Sequence, residues 1–321
     1  MKFKEMKAGD TAEMEFLLTG VSENRTKASG GLQKVYCDIE VSDGESKQTV
    51  KVWDRSKKVF EPVLRHVLKA AVTAKEYRGN ITFTAKDISV LKNADISSYR
   101  IETSLDREEA WNRLTELVLS SKPGPADEVS YADVAFSLLN DWKDKFICWA
   151  ASQKVHHNYY GGLLEHTLSV VEKCADDADR CPFLNRELLI CGAAVHDIGK
   201  VEELATDELG TAVYTMAGNL EGHINIGAQM VLEKSRMMGL DLEKTSLLRH
   251  MILSHHGRPE FGSNVRPSVP EAFVLFLNDY KDAKLKAYED IIAGIEPGTI
   301  AGSSSWILDG VHVYKETGSA L

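Results

Sequence analysis

The stretch LLICGAAVHDIGK, residues 188–200, sets a histidine and an aspartate side by side, His196-Asp197, at the end of a strongly apolar helical pattern. An ionised carboxylate there is costly to bury unless it is paired or bound to a cation. The pair therefore demands partners from elsewhere in the chain, and a fold that gathers distant helices at one point. Histidine is distributed to match, with eight of the ten between His156 and His256. Candidate partners are His166 after GGLLE, His223 in EGH, His255 in HHG at the end of another helical stretch, and Asp279 in FVLFLNDYKDA. Ala272, Phe276, Asp279 and Ala283 share one helical face at spacings of 4, 3 and 4. A metal ion would remove the cost of burying a carboxylate on that stripe; a buried salt bridge or a helix cap is the plainer alternative.

Imidazole and carboxylate donors suit zinc, iron or manganese better than calcium. Adjacent helical residues point about 100° apart, so His196 can serve one ion while Asp197 bridges two. His166 and Asp279 would complete the first ion's shell, His223 and His255 the second's. Two such ions, about 3.5–4 Å apart, lower the pKa of a bridging water and clamp a phosphoryl group for in-line attack. Lys200, one turn beyond His196, is placed to neutralise charge on that phosphate, although a lysine after a helix-ending glycine is also an ordinary surface residue. Asp197 and Lys200 are the catalytic candidates, and two divalent ions are the expected cofactor.

The hydrophobic period changes along the chain. Residues 12–92 contain AEMEFLLTGV, KVYCDIEVSD, QTVKVWD, KAAVTAKEYR and NITFTAKDISVL, short β-branched and aromatic runs separated by KASGG, DGES and RGN. Five such strands, with RSKKVFEPVLRHVLK as a short helix or loop between the third and fourth, suit an OB-type barrel. From about residue 105 the period becomes 3.6: EEAWNRLTELVLSS, 130–152, 163–178, 186–199, 220–238, 242–256 and 270–293 read as helices. The expected fold is multidomain α and β: a small N-terminal OB-like barrel over 1–98, then an all-α helical domain over 99–321. The front part carries 17 Lys+Arg against 14 Asp+Glu and the rest 21 against 34. An acidic whole is a poor general nucleic-acid binder, but the basic front can meet a polyanion locally. There is no run of eighteen apolar residues, and MKFKEMKAGDTAEMEF has no apolar signal core. The five cysteines form no C-x-x-C and read as reduced thiols. A cytoplasmic chain with no membrane partner is expected.

The order H…HD…H…H…D resembles the HD superfamily of metal-dependent phosphohydrolases. More closely, KVHHNYYGGLLEHT, AAVHDIGK, EGHINIG, HMILSHHGRPEFGSNVRPSVPEAFVLFLNDYKDAK and ILDGVHVYK resemble the YhaM-type 3′→5′ exoribonuclease family, which pairs an OB fold with an HD domain. The resemblance implies manganese-stimulated removal of nucleotides from the 3′ ends of single-stranded RNA, with single-stranded DNA as a second polymer and with iron, cobalt and magnesium as alternative ions. It carries His166, His196, Asp197 and Asp279 onto one metal shell and Asp197, His223 and His255 onto the other, with His256 an alternative to His255. His156 and His157 match a His-His pair without an assigned role.

An OB barrel grips single strands with a basic groove and stacking rings. Tyr36, Trp53, Lys51 and Arg78 are the leading candidates, with Tyr77, Phe83, Arg25, Lys27 and Lys34 behind them. Two other functions compete: an HD phosphohydrolase of small nucleotides or cyclic dinucleotides, and a non-catalytic nucleic-acid-binding or regulatory protein. A homo-oligomer is left open.

Overall fold

The computed structural model describes residues 1–26, 33–77, 80–123, 128–153 and 157–318. The chain packs as two units, Met1–Ile101 with Tyr288–Leu321, and Glu102–Ala287.

In the first unit five strands close a barrel: β1 (Thr11–Arg25), β2 (Val35–Ser42), β3 (Lys47–Trp53), β4 (Val67–Tyr77) and β5 (Asn80–Val90), in the order β1-β2-β3-β5-β4. The pairings are antiparallel except β3 with β5, where Val50 faces Phe83. The alternation in the sequence is the cause: Leu68, Ala70, Val72 and Ala74 of β4 turn inward, onto Phe16, Leu18, Ile39, Val50 and Val52. Closure removes the exposed edges an open sheet would leave. Between β3 and β4 the chain makes two 3-10 turns, Lys57–Val59 and Glu61–Val63.

The second unit is helical: α1 (Arg107–Ser120), α2 (Tyr131–Asp141), α3 (Lys143–Phe146), α4 (Gly162–Arg180), α5 (Arg186–Val195), α6 (Lys200–Glu203), α7 (Met216–Leu220), α8 (Gly222–Met238), α9 (Leu242–Ser254) and α10 (Pro270–Ala293), whose last residues fall in the first unit. A two-stranded hairpin, β6 (Leu204–Thr206) with β7 (Ala212–Tyr214), interrupts them. α5 is the central element. Every residue from Glu187 to Val195 is buried, packed among Leu114, Leu139, Leu164, Val170, Leu248 and Met251.

Three helices expected to be continuous are broken. The span 130–152 stops at Trp142, which leaves helical geometry at φ −113° and ψ 10°. Beyond α3 the chain then turns, so that the Trp149 indole donates to Leu204 O at 2.8 Å. α5 ends at Val195, and 196–199 tighten into a turn. The span 220–238 breaks at Glu221, ahead of Gly222 at φ +72°. Among the described residues no helix is long and apolar enough to cross a membrane.

Candidate metal centre

The breaks put chemistry at helix ends. His196 caps the C-terminus of α5 and His255 that of α9, while His223 lies in the first turn of α8. Gly199 makes the junction close enough: a Cβ there would lie 2.1 Å from the His223 carbonyl oxygen and 2.7 Å from Gly227 N. Only a residue without a side chain lets the turn after Asp197 rest on the backbone of α8. On α4, His166, Ser169 and Lys173 face Asp282 of α10. His166 Nδ1 lies 2.8 Å from Asp282 Oδ2, the Ser169 hydroxyl donates to Oδ1 at 2.6 Å, and the Lys173 ammonium pairs with Oδ1.

Four imidazoles are oriented the same way. His196 Nδ1 meets Ala193 O at 2.7 Å and His255 Nδ1 meets Ile252 O at 2.7 Å. A carbonyl only accepts, so both Nδ1 atoms carry the proton. His223 Nδ1 meets Glu203 Oε1 at 3.0 Å and His166 Nδ1 meets Asp282, which assigns the same tautomer. In that tautomer each ring directs its Nε2 at Asp197. His166 Nε2 lies 3.3 Å from His196 Nε2, 3.2 Å from Asp279 Oδ1 and 3.5 Å from Asp197 Oδ2. His196 Nε2 lies 3.3 Å from Asp197 Oδ2. On the other side, Asp197 Oδ1 lies 3.6 Å from His223 Nε2 and 3.8 Å from His255 Nε2. These last three atoms are buried with no hydrogen-bond partner. Acceptors gathered this tightly repel one another unless a cation lies among them. Donors about 2.0–2.2 Å from one tetrahedral ion stand about 3.4 Å apart, which is the spacing around His166. The residues therefore fit a divalent metal, with fixed outer partners of the kind that orient metal-bound histidine.

Electrostatics agree. Burial would raise the Asp197 carboxyl, but Lys200 and His196 hold it well below its usual range. Burial would likewise raise Asp279, and His166 and His196 pull it down. Burial, followed by the neighbouring His256 and His196, keeps His255 neutral, and burial brings His256 down to about 4. His166 goes the other way. Burial lowers it, yet hydrogen bonds to Asp279 and Asp282 outweigh burial and push it up to about 9. A proton between two carboxylates stands in for the cation, so an arriving ion must displace it.

Lys200 is buried, its ammonium 2.6 Å from Asp197 Oδ2. Both residues line a cavity of about 300 Å³ whose wall includes His223, His256, Phe276 and Asp279. His256 shares a ligand-sized cluster with His223 and His255. The stripe expected on α10 is rotated: Ala272, Leu275, Asn278 and Asp282 are its buried line, and Phe276, Asp279 and Ala283 edge the cavity. Sequence reasoning missed Asp282 and Glu203, and left His157, 3.1 Å from Asp282 Oδ2, without a role. The signal for Asp282 was its position one turn after Asp279 on the same helix.

On the barrel, Tyr36 and Trp53 are cross-strand partners with ring centroids 5.0 Å apart. The Lys51 ammonium lies 4.0 Å over the Tyr36 ring. Trp53 and Tyr77 are exposed, but Phe83 belongs to the core, edge-on to Phe3 at 5.0 Å; the parallel pairing of β5 with β3 turns it inward. Arg78, Lys27 and His156 lie outside the described residues.

Residues 163–284 match the HD domain family and include every residue of the cluster. These residues form an HD domain, which implies divalent-metal binding, and the histidine–aspartate cluster has the donors to hold such an ion. Over 294 residues, 90% of this chain and 90% of that protein, it is 29% identical to the 3′-5′ exoribonuclease YhaM of Listeria innocua serovar 6a. The similarity to that exoribonuclease runs over nearly the whole chain, beyond the HD domain.

Proposed function

We propose that the protein is a metal-dependent 3′→5′ exoribonuclease that hydrolyses single-stranded RNA, with single-stranded DNA as a secondary substrate. The observation that carries the reading is the convergence of four Nε2 atoms on Asp197, which with Lys200 lines a cavity. His166, His196, Asp197 and Asp279 would hold one ion, and Asp197, His223 and His255 a second, with His256 beside it. When bound, two divalent ions, manganese in this reading, supply a water nucleophile active at neutral pH and screen phosphate charge.

The chain's own residues do the rest. Lys200 keeps Asp197 ionised and leaves a positive charge at the cavity wall. Asp282 and Glu203 hold the imidazoles of His166 and His223 in the tautomer that ligation needs. Leu204, Phe261, Phe276 and Ala283 line the cavity and limit water around the phosphate. The barrel of residues 1–98 binds the single strand through Trp53, Tyr36 and Lys51, and residues 99–321 carry out hydrolysis. Five free thiols, three of them buried, suit a reducing cytoplasm.

The test is the purified protein with Mn²⁺ on a 5′-labelled single-stranded RNA. A ladder shortening from the 3′ end is expected. Turnover confined to mononucleotides or cyclic dinucleotides, or binding without turnover, would overturn the reading.

A further inference from the structure

The loop that leaves α9 directly after His255 and His256 carries two arginines into a groove walled by aromatic rings. Arg258, Glu260, Phe261, Arg266, Phe273 and Phe276 line a groove of about 440 Å³. Phe261 and Phe276 also line the cavity of the metal centre, so groove and cavity share a wall.

Two features set this groove apart from ordinary surface. The unit of residues 102–287 has 19 Lys+Arg against 29 Asp+Glu, an excess of carboxylates for any surface cation to pair with. Yet Arg258 and Arg266 are exposed, and neither has an ion-pair partner among the described residues; the Arg258 guanidinium lies 5.8 Å over the Phe261 ring instead. The rings are exposed as well, Phe261 by 46% and Phe273 by 53%, and Tyr280 lies nearly parallel to Phe261 at 19° and 5.9 Å.

The loop is also held in shape. Gly257 has φ +75°, and a Cβ on it would lie 2.3 Å from the Phe276 ring, so the backbone packs straight onto that ring. The buried Ser263 hydroxyl donates to Val265 O at 2.8 Å, and Arg258 N donates to His256 O at 2.8 Å. A site fixed before binding loses less entropy when it is filled.

We propose that this groove seats the nucleotide next to the scissile bond of a single-stranded RNA. Its base lies on Phe261 and Phe273, and Arg258 and Arg266 bind the adjoining phosphates. Stacking on aromatic faces and charge-assisted contacts to phosphate are what a polynucleotide needs regardless of sequence. Glu260 reduces the groove's formal charge to a single positive unit, so the two guanidinium contacts do the holding rather than a broad field. The proposal rests on the exoribonuclease reading and assigns that activity a binding subsite within the HD domain itself.

The experiment is steady-state cleavage of a 5′-labelled single-stranded RNA by the manganese-loaded full chain across a range of salt. Arg258→Ala/Arg266→Ala should raise KM about tenfold or more with little change in kcat. Loss of two phosphate contacts should also flatten the slope of log kcat/KM against log salt by about 1.4. Phe261→Ala should raise KM at least about fivefold, and Phe261→Trp, which keeps a stacking face, should restore it. Melting temperatures equal to the parent's show that the fold is intact, and the tryptophan variant carries the test if the alanine variant melts early. A KM within twofold of the parent with an unchanged salt slope in the double-arginine variant would overturn the groove alone. A parent that never shortens RNA would overturn the underlying activity.

Discussion

Replacing Gly199 with alanine tests how the centre is assembled without removing any ligand. The new Cβ would meet His223 O at 2.1 Å and Gly227 N at 2.7 Å, both backbone atoms that cannot rotate away. Real Cβ contacts essentially never fall under 3.0 Å, so the start of α8 must retreat by roughly 1 Å. His223 moves with it, away from Asp197 Oδ1, now 3.6 Å distant. A misplacement of about 1 Å costs on the order of 100-fold in rate, and overpacking of this kind costs about 1–3 kcal/mol in stability. The expected result is kcat/KM on single-stranded RNA down roughly 100-fold. Metal analysis should show the ion shared with His223 weakened and the one at His166 and Asp279 retained. Activity within threefold of the parent with two ions still bound would refute the packing argument.

Asp197→Ala should abolish turnover and lower metal content, because both lobes of the cluster use that carboxylate; more than a tenth of parental activity would sink the two-ion assignment. Asp282→Asn should weaken metal binding about 10–100-fold in competition with a chelator, since it removes the charge that orients His166; unchanged affinity would contradict that role. In the metal-free protein, His256 has a folded pKa of about 4 against about 6.5 unfolded. The unfolded chain then binds more protons, so stability falls as pH drops from 6.5 towards 4, by about 3 kcal/mol from this one group. Urea midpoints should show a shallower acid limb in His256→Gln, and an identical limb would rule this group out. Trp53→Ala should lower affinity for single-stranded RNA about 5- to 100-fold, measured by anisotropy, and no change would remove the ring from the platform.

The barrel and the helical part were legible because each buries one face at its own period. The alternation of β4 and the apolar run of α5 are visible in the letters alone. The site's histidines and aspartates were legible because burying so many ionisable groups in apolar helices needs a common reason. What the sequence did not reveal depends on tertiary geometry. Phe83 looks like any strand aromatic until its pairing with Val50 turns it inward. The break at Trp142 carries no proline or glycine, and follows from where Trp149 must bond. Asp282 and Lys200 both look like surface charges, and only the packing of α4 on α10, and the turn after α5, buries them.

The donors around Asp197 stand at positions 166, 196, 223, 255 and 279, on or at the ends of α4, α5, α8, α9 and α10. An ion bound among them is a cross-link that closes loops of 24 to 32 residues between successive donors. Tying off loops removes freedom from the unfolded chain, and metal held only by the folded state stabilises it by mass action. Metal supply therefore governs how long the HD domain survives as well as whether it can turn over: a starved molecule is both idle and the first to open to proteases.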